Sequence, residues 1–137
     1  MNEIITFSKD YHLRPPTVFS NGILLGQYSF LFNHDATALI NLNHPDIVGN
    51  TKWNQIEYSL KNLEAAGAFD NKRITIGINL YENMKDWSYI FEIAKKYNLS
   101  EIRCSVVAPT CHIVYNTKDT YYENNKQLFL NFAKDAN

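Results

Sequence analysis

The sequence predicts an α/β domain in which about four strand–helix units form a parallel sheet. Four short runs rich in β-branched or other apolar residues recur along the chain, and patterns of helical period separate most of them. Strands that alternate with helices usually pair in parallel through right-handed crossovers. With 137 residues the chain has the usual size of one domain, so we expect residues 1–137 to form a single unit.

The four predicted strands are bounded by turn or helix signals. They cover residues 17–24, 37–43, 73–80 and 101–107. The first of them contains Asn21-Gly22, a dipeptide that is also typical of tight turns.

The clearest predicted helix lies between the second and third strands. Thr51 can cap its first turn and Gly67 can end it. Between them the apolar residues recur every three or four positions, at Trp53, Ile56, Leu60, Leu63 and Ala66. A second helix, capped by Asn83 or Asp86 and ending near Asn98, separates the third and fourth strands.

Three further helical patterns complete the prediction. Residues 2–12 predict a leading helix, and a final helix begins at about Asp119. Residues 26–34 predict a short crossover helix of about two turns after the first strand.

One face of the predicted sheet is polar. Strands of a parallel sheet are usually apolar on both faces because helices cover both. In the third strand, however, isoleucine and leucine side chains alternate with Thr75, Gly77 and Asn79. The same alternation in the second and fourth strands adds Asn41, Asn43, Arg103 and Ser105.

These polar groups predict a binding site. Several lie near the carboxyl ends of their strands, where α/β sheets and barrels place ligands, and Asn21 joins them from the Asn-Gly turn signal of the first predicted strand. An unpaired buried polar group costs about 1–3 kcal/mol, and a polar ligand would supply the partners. The alternative is that the groups bond one another, a loop carboxylate or water. The candidate site residues are Asn79, Arg103, Ser105, Asn43 and Asn21.

Composition argues against several classes of partner and enzyme. A net charge of -1, from 13 basic and 14 acidic residues, favours neither nucleic acid nor a membrane as partner. No apolar run approaches the roughly 20 residues that span a bilayer, and no secretion signal is visible, so we expect a cytoplasmic location. The motifs GxGxxG, GxxxxGK[ST] and GxSxG are absent, which argues against Rossmann, P-loop and α/β-hydrolase enzymes.

Neither a metal site nor a catalytic residue is predicted. Cys104 and Cys111 are expected to be free thiols. No two of the histidines stand at metal-ligand spacing, and all are expected at the surface: His12, His34, His44 and His112. The best-placed acids, Asp46 and Glu82, are typical of loops or helix starts, so no carboxylate pair for acid–base chemistry is visible.

The order of these motifs resembles that of the radical S-adenosylmethionine family. The runs VFSNG, INLNHP, ITIGINLYE and EIRCSVVAP follow one another across about residues 15–110. The resemblance implies strands three to six of that family's partial (βα) barrel, so the chain looks like half of a partial TIM-like barrel. It further implies that Asn79, Arg103 and Ser105 face the ribose, carboxylate or adenine of the cofactor, with Asn21 and Asn43 nearby in the barrel interior.

The sequence departs from this family where the iron–sulfur cluster would bind. The CxxxCxxC loop that holds a [4Fe-4S] cluster is absent, as is the GGEP-like segment, and two cysteines at another spacing do not replace that loop. We therefore expect no cofactor to be held by this chain alone, with S-adenosylmethionine and the cluster belonging to an intact parent enzyme. The expected function is that of a C-terminal half-barrel, as a fragment of a larger barrel, that contributes cofactor- and substrate-facing residues and is inactive alone.

Two alternatives stay open. In one, the chain is a stand-alone α/β module that binds a small polar molecule or a protein without catalysis. In the other, half-barrels pair, since four parallel strands leave two edges and an uncovered face. We therefore expect either a homodimer or association with a missing N-terminal half, and the sequence indicates no substrate.

Overall fold

Four parallel strands form a sheet with the order β1-β2-β3-β4 in the computed structural model, which describes residues 2–70, 72–81, 84–106, 123 and 125–136. The strands are β1 (Thr17–Ser20), β2 (Thr37–Asn41), β3 (Ile74–Leu80) and β4 (Ile102–Val106). Helical segments lie between successive strands, so the predicted α/β fold with a parallel sheet is confirmed.

Helices precede, connect and follow the strands. They are α1 (Asn2–Asp10), a 3₁₀ segment (Leu25–His34), α2 (Pro45–Val48), α3 (Asn50–Ala65) and α4 (Ser88–Lys96). Residues 125–135 are also helical and are called the C-terminal helix below. The predicted beginning of that helix, near Asp119, lies outside the described residues.

The first strand and its crossover differ in detail from the prediction. β1 ends at Ser20 because the next two residues turn: Gly22 has φ +84°, and its N–H donates to Ser20 Oγ at 3.0 Å. The crossover after it is a 3₁₀ segment with a kink at Tyr28, where an α-helix was predicted. A 3₁₀ helix rises about 2.0 Å per residue, whereas an α-helix rises about 1.5 Å. A short 3₁₀ segment therefore spans a longer distance between β1 and β2 than an α-helix with the same number of residues.

Helix α3 begins differently from the prediction but ends as predicted. Thr51 is not its cap, because α2 leads directly into the helix through Gly49, which has φ +79° and no side chain to cap with. Gly67 ends the helix with φ +69°, and its N–H donates to Glu64 O at 2.8 Å. A left-handed residue after the last turn is the usual helix stop.

Helix α4 follows its predicted limits. Asp86 Oδ1 accepts from the Ser88 N–H at 2.9 Å at the first turn. Asn98 has φ +51° just after the last turn, which ends the helix. The other predicted cap, Asn83, lies outside the described residues.

A single face of the sheet carries the core. Ile40, Ile76 and Ile78, on alternate positions of β2 and β3, are fully buried. The cluster around them draws on the 3₁₀ segment, α3, α4 and the C-terminal helix, through Phe32, Ile56, Leu60, Ile90 and Phe132. These helical segments therefore cover the same sheet face, as they do when strands follow one another in sequential order. A doubly wound sheet reverses its strand order and has helices on both faces.

The amino end of the sheet is tied by an arginine. Arg73, one residue before β3, forms an ion pair with Asp35 at 2.7 Å and donates to Phe32 O. These contacts join the beginning of β3 to the end of the 3₁₀ segment. In α/β barrels, residues at the amino ends of the strands stabilise the fold, and residues at the carboxyl ends form the ligand site.

Candidate functional site

Three of the five predicted site residues lie together on the sheet face opposite the core. Asn79 in β3 is the register partner of Ser105 in β4, and Arg103 is the partner of Gly77. Gly77 pairs on its other side with Asn41 of β2. Alternate residues of a strand share a face, so these side chains stand side by side. The open-face patch, as it is called below, consists of Asn41, Asn79, Arg103 and Ser105.

The same face carries an apolar pair one row nearer the amino ends of the strands. Phe19 in β1 is 67% exposed, and its register partner Leu39 is 6% exposed. Neither residue belongs to the core cluster on the other face. Beyond them, at the amino ends of β1 and β2, the hydroxyls of Thr17 and Thr37 lie 2.9 Å apart, so the apolar pair has polar rows on both sides.

A glycine makes room for the central amide of the patch. A Cβ built on Gly77 would collide with Oδ1 of Asn41 and would lie 3.4 Å from Arg103 O. The Asn41 side chain therefore lies flat over the backbone of β3. The sequence placed Gly77 on this face, but its close contact with Asn41 depends on the strand register.

The polar groups of the patch have no partner within the described part of the chain. Over those residues, Asn41, Asn79, Arg103 and Ser105 form no side-chain hydrogen bond or ion pair. Arg103 is exposed, whereas the other three are half-buried. Half-buried amides and hydroxyls keep their hydrogen-bonding capacity for water or a ligand. The alternative that these groups satisfy one another is not what the described residues show.

The other two predicted site residues have local partners. Asn43, two residues beyond β2, accepts a hydrogen bond through Oδ1 from the Tyr81 hydroxyl. Burial raises the pKa of the Tyr81 phenol, so this donor keeps its proton. Asn21 Oδ1 accepts from the Ile23 N–H at 3.2 Å and stabilises the turn after β1. The structure thus brings Asn79, Arg103 and Ser105 together and engages Asn43 and Asn21 elsewhere.

A second feature, at the carboxyl ends of β2 and β3, was not predicted. A groove of about 430 Å³ lies beside the His44 ring, between the loops that follow the two strands. Its walls include Tyr81, Met84, Asp46 and Asp86. His44 was expected to be an ordinary surface histidine, yet its side chain is only 20% exposed.

The groove histidine is held by its neighbours on both ring nitrogens. Nδ1 accepts from the Asp46 N–H at 3.2 Å, and Nε2 lies 3.7 Å from Asp86 Oδ2. The Ser88 N–H, and secondarily His44, lower the pKa of the Asp86 carboxyl. His44 therefore links the loops after β2 and β3, and because Nδ1 already accepts a hydrogen bond it is poorly placed to act as a general base through that nitrogen. Only the local His44–Asp46 contact has a sequence signal.

A buried tyrosine supports this end of the site. The Tyr89 hydroxyl donates to Leu42 O at 2.9 Å, and its ring meets those of His44 and Trp53 edge to face. Desolvation raises the pKa of Tyr89 well above its ordinary value. Tyr89 is therefore part of the core, and Trp53 packs against it partly buried.

The described residues offer polar side chains to a ligand but few groups that bind an iron–sulfur cluster. Arg103, Asn79 and Ser105 offer hydrogen-bond donors and acceptors. A [4Fe-4S] cluster needs several thiolates, whereas the chain has two cysteines. Burial raises the pKa of Cys104, which disfavours its thiolate, and Cys111 lies outside the described residues. Among the described residues no cluster of three acidic, histidine or cysteine side chains is placed to hold a metal ion.

Comparisons of the chain with protein-family models, with curated proteins and with solved structures found no match. Among the described residues, no helix has both the length and the apolar character needed to cross a bilayer.

Proposed function

We propose that this chain is the C-terminal half-barrel of an enzyme of the radical S-adenosylmethionine type. In this proposal the open-face patch binds S-adenosylmethionine beside the substrate, and the chain alone does not cleave the cofactor. The observation that carries the proposal is a set of polar groups that share one face of a sequentially ordered parallel sheet and have no side-chain partner among the described residues. The ordered motifs described above add the identity of the ligand.

The chemistry of each patch residue supports a part of this ligand. The Arg103 guanidinium is exposed and can hold a carboxylate through two parallel hydrogen bonds. The Asn79 amide donates and accepts, which suits ribose hydroxyls or an adenine edge, and Ser105 lies next to it as its register partner. A nucleoside with an amino-acid tail needs both kinds of group within a few ångströms of each other.

Titration calorimetry with S-adenosylmethionine tests the proposal. The Arg103→Ala variant should bind at least about tenfold more weakly, because a hydrogen bond to a charged group contributes about 1.5–3 kcal/mol. Arg14→Ala is the matched control, since Arg14 is also exposed but precedes β1 at the opposite end of the sheet. Absence of saturable binding by the unmodified chain would contradict the proposal, as would equal affinities of the two variants.

A ligand without the carboxylate separates the roles of the two main residues. We expect 5'-methylthioadenosine, which keeps the ribose and adenine, to bind the Arg103→Ala variant and the unmodified chain equally well. Asn79→Ala should weaken the binding of both ligands. Asn54→Ala serves as control, because Asn54 is an exposed asparagine of α3. If Arg103→Ala weakens both ligands equally, the carboxylate assignment is wrong.

The second candidate function is a non-catalytic module that binds another small polar molecule. It is favoured by the same unpartnered groups together with the lack of cluster ligands in the sequence. A thermal-shift screen of polar metabolites would support it if a compound other than S-adenosylmethionine raised the melting temperature in an Arg103-dependent way. Formation of 5'-deoxyadenosine by the anaerobically reconstituted chain would exclude this module and the predicted inactivity alike.

A further inference from the structure

We propose that a second copy of this chain completes the barrel, with β4 of each copy pairing in parallel with β1 of the other across a two-fold axis. The inference rests on strand order and register. In this assembly the second copy takes the place of the other half that the proposed function assigns to a parent enzyme. It assigns an occupant to the sheet face that bears the open-face patch.

The stagger of the strands is the first argument. Ser20, the last residue of β1, is aligned through Ile40 and Ile76 with Ile102, the first residue of β4. Measured along β1, the level at which the strands begin therefore shifts from Thr17 for β1 to Ser20 for β4. This shift takes three steps between neighbouring strands, or about one residue per step. A closed eight-stranded barrel needs a total stagger of about eight residues, which is also about one per strand. This sheet therefore has the register of half such a barrel.

The free edges are the second argument. Among the described residues, β1 pairs only with β2 and β4 pairs only with β3. Each edge presents unpaired backbone groups that can accept another strand. A two-fold axis along the barrel axis keeps all strands pointing the same way, so both new pairs are parallel. The axis also keeps the helices of both copies on the outside, and two-fold dimers are the commonest protein assembly.

The exposed apolar residue at the β1 edge is the third argument. Phe19 is 67% exposed on the face that becomes the barrel interior, beside the buried Leu39. Exposed single apolar residues are common, but this one lies on an unpaired edge strand next to an apolar layer. Closing the barrel removes Phe19 from water and brings the Phe19–Leu39 pairs of the two copies into one interior.

The stagger also predicts the register of the new strand pair. Each copy of a two-fold dimer contributes half of the total stagger of the barrel. Thr17 of the partner subunit therefore lies level with Arg103, one residue after the beginning of β4. Val18 of the partner subunit is then level with Cys104. Val18 and Cys104 both pack against the helix-side cluster, so their side chains point to the same side of the sheet. Paired strands lie about 4.8 Å apart, which is within the reach of a disulfide.

Cysteine cross-linking tests this register. In a Cys111→Ser background, Val18→Cys should give a covalent dimer on mild oxidation, with the introduced thiol joined to Cys104 in the peptide map. Thr17→Cys is the matched control, because its side chain points to the opposite face, and it should give little dimer. Adding Cys104→Ser to the Val18→Cys variant should abolish the link. A dimer that forms equally in all of these variants would overturn the proposal.

The mass of the unmodified chain provides the second measurement. Light scattering should give about twice the chain mass of 15.9 kDa. Phe19→Glu should convert the dimer to a folded monomer, because a carboxylate would enter the closed interior. Tyr58→Glu, which changes an aromatic residue of α3 that is 66% exposed, should leave the dimer intact. A species of 15.9 kDa at the highest soluble concentration would overturn the proposal and leave the face to a different protein segment or ligand.

Discussion

On the helix-covered face of β3, Ile74, Ile76 and Ile78 are at most 4% exposed, whereas on the opposite face Thr75 and Asn79 are half-buried. These five residues of one strand thus serve two purposes. The isoleucines remove apolar area from water and hold the helices, which is the main favourable contribution to folding. Thr75 and Asn79 bury less of their side chains than the isoleucines do, so we expect them to contribute less to folding.

The largest expected effect separates the two faces directly. Ile76→Ala should lower the free energy of unfolding by about 2–5 kcal/mol, because it removes a fully buried side chain and leaves a cavity. Thr75→Ala, one residue away on the other face, should change it by no more than about 0.5 kcal/mol. Urea denaturation of both variants measures the difference. Equal losses would mean that both faces stabilise the fold.

The next effect concerns the hydroxyl that ties α4 to β2. Tyr89→Phe should cost about 1–3 kcal/mol, because the Leu42 carbonyl loses its donor in a buried place. The raised pKa of Tyr89 means that the folded state retains a proton that the unfolded state releases above about pH 10. Stability should therefore be complete below that pH and fall as the pH rises further.

Alkaline denaturation checks the titration of this tyrosine. The Tyr89→Phe variant should lose less stability than the unmodified chain between neutral and alkaline pH, although the raised pKa of Tyr81 and Tyr97 leaves part of the loss. Tyr58→Phe is the control because Tyr58 is exposed on α3. An identical alkaline loss in the Tyr89→Phe variant would show that its hydroxyl is not buried as described.

A smaller effect lies within the open face. Gly77→Ala should destabilise the protein by about 1 kcal/mol, because the added methyl group displaces the Asn41 amide. In an Asn41→Ala background the same change should be neutral or stabilising by about 0.5 kcal/mol, since alanine restricts the unfolded chain more than glycine does. A double-mutant cycle by urea denaturation measures the coupling. Additive effects would mean that Asn41 does not lie over Gly77.

Local patterns in the sequence predicted the features that depend on neighbouring residues. Alternation in β3 assigned its isoleucines to one face and Asn79 to the other, and Gly67 marked the end of α3. Parallel pairing followed from the order of strands and helices. Asn79, Arg103 and Ser105 also lie on one face, as their alternation predicted, because side chains at alternate positions of paired strands point to the same side of the sheet.

The remaining features depend on contacts that no local pattern shows. Thr51 does not cap α3 because α2 leads directly into that helix. Asn43 meets Tyr81 through the pairing of β2 with β3, and Asp86 reaches His44 from the loop before α4. A residue's type states which bonds it can form, whereas its partner depends on the register and on how the loops fold.

The most direct test of the two-face account is the unfolding free energy of a triple variant, Asn79→Ala, Arg103→Ala and Ser105→Ala, without ligand and at fixed protein concentration. The account predicts a change within about 1.5 kcal/mol, since substitutions away from the core each change stability by about 0.5 kcal/mol. A loss as large as that of Ile76→Ala would contradict it, because the polar face would then be part of what holds the protein folded.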